Sequence, residues 1–127
     1  LLPVGMRVAD AQFEVIRRTA SQGPCVIVGR CADYVLEEQK NVFNVFVHSD
    51  MENRVMRCRE EFGLTEADAR KLIRKTDKIR SNYYRYYTQT EWGDPSHYDL
   101  VIDAGRLGTD AAAYLIAAYV RQFDPKA

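Results

Sequence analysis

The chain has 127 residues, 46% hydrophobic and 28% charged, the make-up of one globular domain rather than a disordered, collagen-like or membrane-embedded chain. Eighteen Lys and Arg balance eighteen Asp and Glu, so no bulk positive charge points to a nucleic acid. The charge is unevenly spread: nine basic residues outnumber five acidic ones between Arg54 and Arg80, making that segment +4 and the remainder −4. Thirteen of the eighteen bases are Arg, whose planar fork suits phosphate and carboxylate, and an anionic small ligand is the first expectation. The three cysteines, Cys25, Cys31 and Cys58, fit neither a C-x-x-C nor a zinc-ligand pattern and read as reduced thiols of a cytoplasmic protein. No apolar run approaches the roughly 18 residues of a membrane span, and Leu1-Leu2-Pro3-Val4-Gly5 lacks a basic n-region and a signal h-region. No membrane partner is expected.

In chain order, Ala9, Phe13, Ile16 and Ala20 share one face of a helix that Ser21-Gln22-Gly23-Pro24 ends. Cys25–Gly29 is a continuous run rich in β-branched residues, the pattern of a strand buried on both faces. Val42–Val47 repeats it, and Tyr98–Asp103 does so more weakly. Ser49 to Glu52 has capping-box spacing for a helix with Val55, Cys58 and Phe62 inward and Gly63 as the stop. Thr65 opens a second helix of about twenty residues, with Ala69, Leu72, Ile73, Thr76, Ile79, Tyr83 and Tyr86 or Tyr87 at helical spacing. Gly93-Asp94-Pro95-Ser96 breaks the chain, and Thr109 caps a last helix to about Phe123. Buried strands alternating with amphipathic helices predict a parallel-sheet α/β domain. Its ligand should lie beyond the carboxyl ends of the strands, at Gly29-Arg30, His48-Ser49-Asp50 and Asp103-Ala104-Gly105.

Arg30, directly after a strand and a permissive Gly, either grips a phosphate or caps the next helix. Asp77 and Arg80 share a helix face at i, i+3, as a solvated ion pair or as part of a site. Arg54 and Arg57 have the same spacing, and unpaired like charges there favour an anion between them. Tyr83-Tyr84-Arg85-Tyr86-Tyr87 with Trp92 reads as packing before it reads as a stacking platform for bases. His48 and His97 lack partners at metal-ligand spacing, no metal site is expected, and no G-x-S-x-G elbow exists. None of the seven glycines begins a G-x-x-x-x-G-K-[ST] or G-x-G-x-x-G motif.

From about Ala9 to Val120, most specifically in Val28-Gly29-Arg30-Cys31-Ala32-Asp33 and from Lys75 through Asp103, the sequence resembles the carboxyl-terminal two-thirds of the cytidylate kinase-like family of P-loop nucleoside-monophosphate kinases. The resemblance implies a three-layer αβα fold, of which residues 1–127 are a partial domain lacking the first strand and P-loop, with a lid or helical region at 50–90. It implies ATP-dependent phosphorylation of CMP, dCMP or a related nucleoside monophosphate, with ATP and Mg²⁺ as cofactors and no activity in this stretch alone. Arg30 matches the arginine of the family's Gly-Arg-Asp, while Cys31 stands at the Asp position and Asp33 follows two residues on. Asp77 and Arg80 match an Asp-x-x-Arg that reaches the acceptor. Arg54 and Arg57, with Arg80, match lid arginines that close over the transferring phosphoryl group, and Asp103 and Gly105 match the loop near the ATP base. A homodimer is left open. The competing expectations are a nucleotide-binding or regulatory module of the same fold without catalysis and, third, a nucleic-acid binder built on the Tyr-rich helix. Asp77, Glu60, Glu61 and Glu66 interrupt that helix's basic surroundings.

Overall fold

A computed structural model of the chain describes residues 4–123. Leu1-Leu2-Pro3, part of the stretch read above for a targeting signal, lie outside the described residues, as do residues 124–127. The chain divides into two compact units, Leu1–Val42 and Phe43–Ala127.

In the first unit, α1 (Val4–Ser21) buries Ala9, Phe13 and Ile16, the stripe that the i, i+4, i+7 spacing predicts. Ser21 Oγ donates to the Arg18 carbonyl at 2.7 Å, closing the last turn. A one-turn helix, α2 (Ala32–Val35), packs on α1, with the Phe13 and Tyr34 rings edge to face at 6.4 Å. Cys31 and Leu36 are buried beside it.

The expected first strand is corrected. Cys25–Gly29 makes no ladder among the described residues, and Val26 and Val28 are 93% and 88% exposed. A strand exists only through a neighbour about 4.8 Å away to which its N–H and C=O groups bond, so β-branched composition alone leaves this segment without a ladder and largely exposed.

In the second unit, β1 (Val45–His48) and β2 (Leu100–Asp103) form a two-stranded parallel sheet, Val45 opposite Leu100 and His48 opposite Asp103. Parallel pairing is as expected, but both strands are shorter than their apolar runs. Asn44 sets the register: its carbonyl accepts from Asp99 N at 2.8 Å and Leu100 N at 3.2 Å, and its own N–H donates to Asp99 Oδ2 at 2.7 Å. Ile102 is buried while Val47 and Val101 stay exposed, so these strands are not covered on both faces as expected.

The chain then forms α3 (Met51–Phe62) and α4 (Glu66–Thr88), which pack around Val55, Cys58, Ala69 and Ile73, with Met51 and Leu64 against them. The α3 cap is Asp50 rather than Ser49: Asp50 Oδ1 accepts from Asn53 N at 2.8 Å and Oδ2 from Asn53 Nδ2 at 3.0 Å. A carboxylate beside the positive helix end is the stronger acceptor, and Glu52 turns instead to Arg70 at 2.7 Å. Gly63 ends α3 at φ 66°, its N–H on the Arg59 carbonyl. Phe62 is exposed where an inward position was expected, because the left-handed turn redirects the chain and Leu64 takes the apolar contact. Thr65 caps α4 as expected, Oγ1 accepting from Asp68 N at 3.2 Å. Along α4 the buried tyrosine is Tyr84, while Leu72, Ile79 and Tyr86 are exposed, so only part of the predicted stripe faces inward.

After α4, Asp94 caps a 3₁₀ turn (Pro95–His97) that precedes β2. A four-residue helix that the sequence did not suggest, α5 (Ala104–Leu107), follows β2. Gly108 at φ 91° separates it from α6 (Thr109–Phe123), in which Thr109 is already the first helical residue. No helix among the described residues is long and apolar enough to cross a membrane.

Candidate functional site

The second unit gathers Arg54, Asp77 and Arg80. The turn at Gly63 brings α4 against α3, so one turn of α3 faces the middle of α4. Arg54 Nη1 donates to Asp77 Oδ2 at 2.7 Å and Nη2 to Oδ1 at 2.6 Å, a fork-on-fork pair. Arg80, one turn beyond Asp77, donates Nη2 to the same Oδ1 at 2.6 Å. Partial burial pushes the Asp77 carboxyl up, but hydrogen bonds from both guanidiniums and their charges outweigh it and hold Asp77 below the ordinary carboxylate range. The Arg54 guanidinium is held above its ordinary value, chiefly by the hydrogen bond to Asp77. Two cations on one carboxylate leave a net positive site.

The two arginines are not equivalent. Both terminal nitrogens of Arg54 are engaged on Asp77, and its side chain is 27% exposed. Arg80 is 52% exposed, and its guanidinium carbon lies 4.9 Å from the Trp92 ring centroid, within cation–π range. With five N–H donors on a guanidinium and one committed to Asp77, Arg80 can present the rest to an anion. Arg57 is exposed on α3 and makes no ion pair among the described residues.

In the first unit, Arg30 sits in an unusual turn. Gly29, Arg30 and Cys31 have φ of 72°, 57° and 56°, three successive residues in the left-handed region. Each non-glycine there costs about 1–2 kcal/mol, so the conformation persists only where neighbouring contacts enforce it. Here Ala32 N bonds the Gly29 carbonyl at 3.2 Å, Val35 N bonds the Cys31 carbonyl at 3.0 Å, and the Cys31 side chain is buried. The turn leaves Arg30 exposed at a groove of about 410 Å³, which Val8, Ala11, Gln12, Val15 and Ile16 also line. Arg30 does not cap α2; Cys31 holds that position without a side-chain bond.

Burial first, and the Asp33 charge second, push the Cys31 thiol up to about 11. It stays neutral at physiological pH, a weak donor unlike a carboxylate acceptor. Asp33 Oδ1 accepts from Tyr34 N at 2.9 Å.

Asp103 and Gly105 lie where β2 ends. Asp103 Oδ1 caps α5 by accepting from Arg106 N at 3.1 Å. A Cβ at Gly105 would overlap Ser49 Oγ and stand 2.9 Å from Ser49 Cβ, so this glycine lets α5 close on the β1–α3 loop. No group of three His, Cys, Asp or Glu side chains among the described residues is arranged to hold a metal. The tyrosines pack on one another: Tyr83 with Tyr87 at 5.0 Å, and Tyr86 with Tyr87 at 4.9 Å.

Sequence reading missed Trp92 as a partner of Arg80 and Asp77 as the hub of two arginines. The Asp77–Arg80 half was visible as i, i+3. The others come from separate elements and leave no periodic signal.

These features define a helix-rich α/β protein with a small parallel sheet, in which two guanidiniums converge on one carboxylate. The chain belongs to the cytidylate kinase-like family, whose model matches residues 3–106. It is also similar to an uncharacterized protein from Eubacterium ventriosum ATCC 27560 of known crystal structure, with 33% identity and a TM-score of 0.88 over 96% of this chain and 69% of that one. Comparison with curated proteins finds no match.

Proposed function

We propose that the protein is a cytidylate kinase-like phosphotransferase that moves the γ-phosphoryl group of ATP onto CMP, dCMP or a related nucleoside monophosphate. The observation that carries this reading, beside the family match, is Arg80: fixed on two sides by Asp77 and Trp92, half exposed, with donors to spare. Phosphoryl transfer asks a protein mainly to position and neutralise phosphates, and a fixed guanidinium does both. Arg30, presented by the left-handed turn, is the second proposed phosphate contact. Asp77 and Arg54 are proposed to hold Arg80, Arg57 to face the transferring group, and residues 50–90 to act as the lid.

The residues present do not by themselves fit Mg²⁺–ATP. The sequence has no glycine-rich triphosphate loop, Asp103 caps a helix and Gly105 meets Ser49. The proposed P-loop fold places Cys25–Gly29 as a third strand beside one that carries the triphosphate loop outside these 127 residues. The nearly full exposure of Val26 and Val28 supports that reading.

A coupled assay of the full-length protein with ATP and a panel of nucleoside monophosphates tests the activity. Arg30→Ala and Arg80→Ala are each expected to lower kcat/KM roughly tenfold or more, the scale of a lost charge-assisted hydrogen bond. Unchanged turnover in both would overturn the site. One observation favours a second reading, a nucleotide-binding module without catalysis: Cys31, a neutral buried thiol, stands where the resemblance calls for a carboxylate. Stabilisation by CMP without turnover would select it, since a ligand at about 100 times its Kd adds about 2.7 kcal/mol.

A further inference from the structure

Arg80 is held by more than its ion pair. Trp92 meets Phe46 of β1 edge to face at 5.4 Å, and Phe46 is backed by Tyr98 at 5.0 Å. Gly93 allows the approach: it has φ 90°, and a Cβ there would stand 3.1 Å from Phe46 Cζ. The indole is thus anchored to the sheet, and the Arg80 guanidinium lies over it at 4.9 Å. Asp77 fixes one edge of the guanidinium at 2.6 Å. A single hydrogen bond leaves a guanidinium free to swing about it, whereas a ring beneath also fixes its plane.

We propose that Trp92 is a positioning residue that sets the plane of the Arg80 guanidinium, so that its remaining N–H groups are directed before the ligand arrives. The consequence for binding rests on the reading of Arg80 as a phosphate contact. Freezing a long side chain in advance removes an ordering cost from binding. Loss of the ring should therefore weaken monophosphate binding about three- to fivefold, the scale of an exposed cation–π contact, without touching the ligand.

The test has an arm that needs no ligand. By NMR, Arg80 side-chain resonances should be shifted upfield by the indole ring current in the wild-type protein, partly so in Trp92→Phe, and not in Trp92→Leu. Trp92 is the single tryptophan of the sequence, so Arg80→Gln should change the intrinsic emission even if Trp92→Leu folds poorly. Unshifted Arg80 resonances in the wild type, or emission indifferent to Arg80→Gln, would overturn the positioning claim. In the ligand arm, CMP is titrated by calorimetry. Trp92→Leu should raise Kd three- to fivefold, Trp92→Phe should restore most of the affinity, and Trp92→Leu should add nothing in an Arg80→Gln background. An equal further loss in that background would also overturn the claim. Ring-current shifts without CMP binding to the wild type would overturn the phosphate reading and leave the positioning of Arg80 standing.

Discussion

Cys31 joins backbone strain to an unusual titration. Its φ of 56° is held while its thiol is buried and pushed up to about 11, first by that burial and then by Asp33. In the unfolded chain the thiol titrates near its ordinary value of 9.0, so between about 9 and 11 the unfolded state loses a proton that the folded state keeps. Stability from this group is complete below about 9 and falls as pH rises through that window. Urea unfolding of the wild type is expected to show a decline in stability between about pH 9 and pH 11 that Cys31→Ala reduces. Parallel curves for the two would show that the thiol is not so perturbed. Arg30, next to it, has φ 57° and shares the strain without the burial.

At the scale of elements, the junction of β2 with α5 depends on one close approach. Gly105 sits against Ser49 where any Cβ would collide, while in an ordinary helix Ala is favoured over Gly by about 0.5–1 kcal/mol. Overpacking typically costs about 1–3 kcal/mol, so the collision wins. Gly105→Ala should lower stability by about 1–2 kcal/mol in chemical denaturation, and Ser49→Gly in the same protein should recover part of it. Strict additivity of the two changes would show that the contact does not limit the site. The α3–α4 hairpin works differently. Its apolar centre of Val55, Cys58, Ala69 and Ile73 supplies the packing, and the Arg54–Asp77 fork holds the positions of charges that the proposed site uses.

At the scale of the whole molecule, the feature still to be accounted for is Cys25–Gly29. Val26 and Val28 lie exposed in a segment without a ladder, which would be a strand only if the proposed fold supplied a neighbour. Under the proposed fold, alternate backbone amides of this segment should resist hydrogen exchange in the full-length protein. Val28→Asp should then lower its stability by about 2 kcal/mol or more, the cost of a buried unpaired charge or cavity. Exchange at the rate of an unstructured peptide would overturn the third-strand reading.

What could be read from the sequence was what neighbours along the chain decide. The Ala9–Phe13–Ile16 stripe, the Thr65 cap, the stop at Gly63 and the Asp77–Arg80 spacing each depend on atoms a few residues apart. The family resemblance, carried by the Gly29–Asp33 and Lys75–Asp103 stretches, is likewise a property of the sequence, and the family match over residues 3–106 agrees with it. Tertiary structure alone decided that Val42–Val47 pairs in part and Cys25–Gly29 does not, because a ladder needs a partner supplied from elsewhere. It also decided that Arg54 closes on Asp77 and that Arg80 lies on Trp92. Those contacts join residues from different elements, so their geometry follows from how the helices and sheet pack.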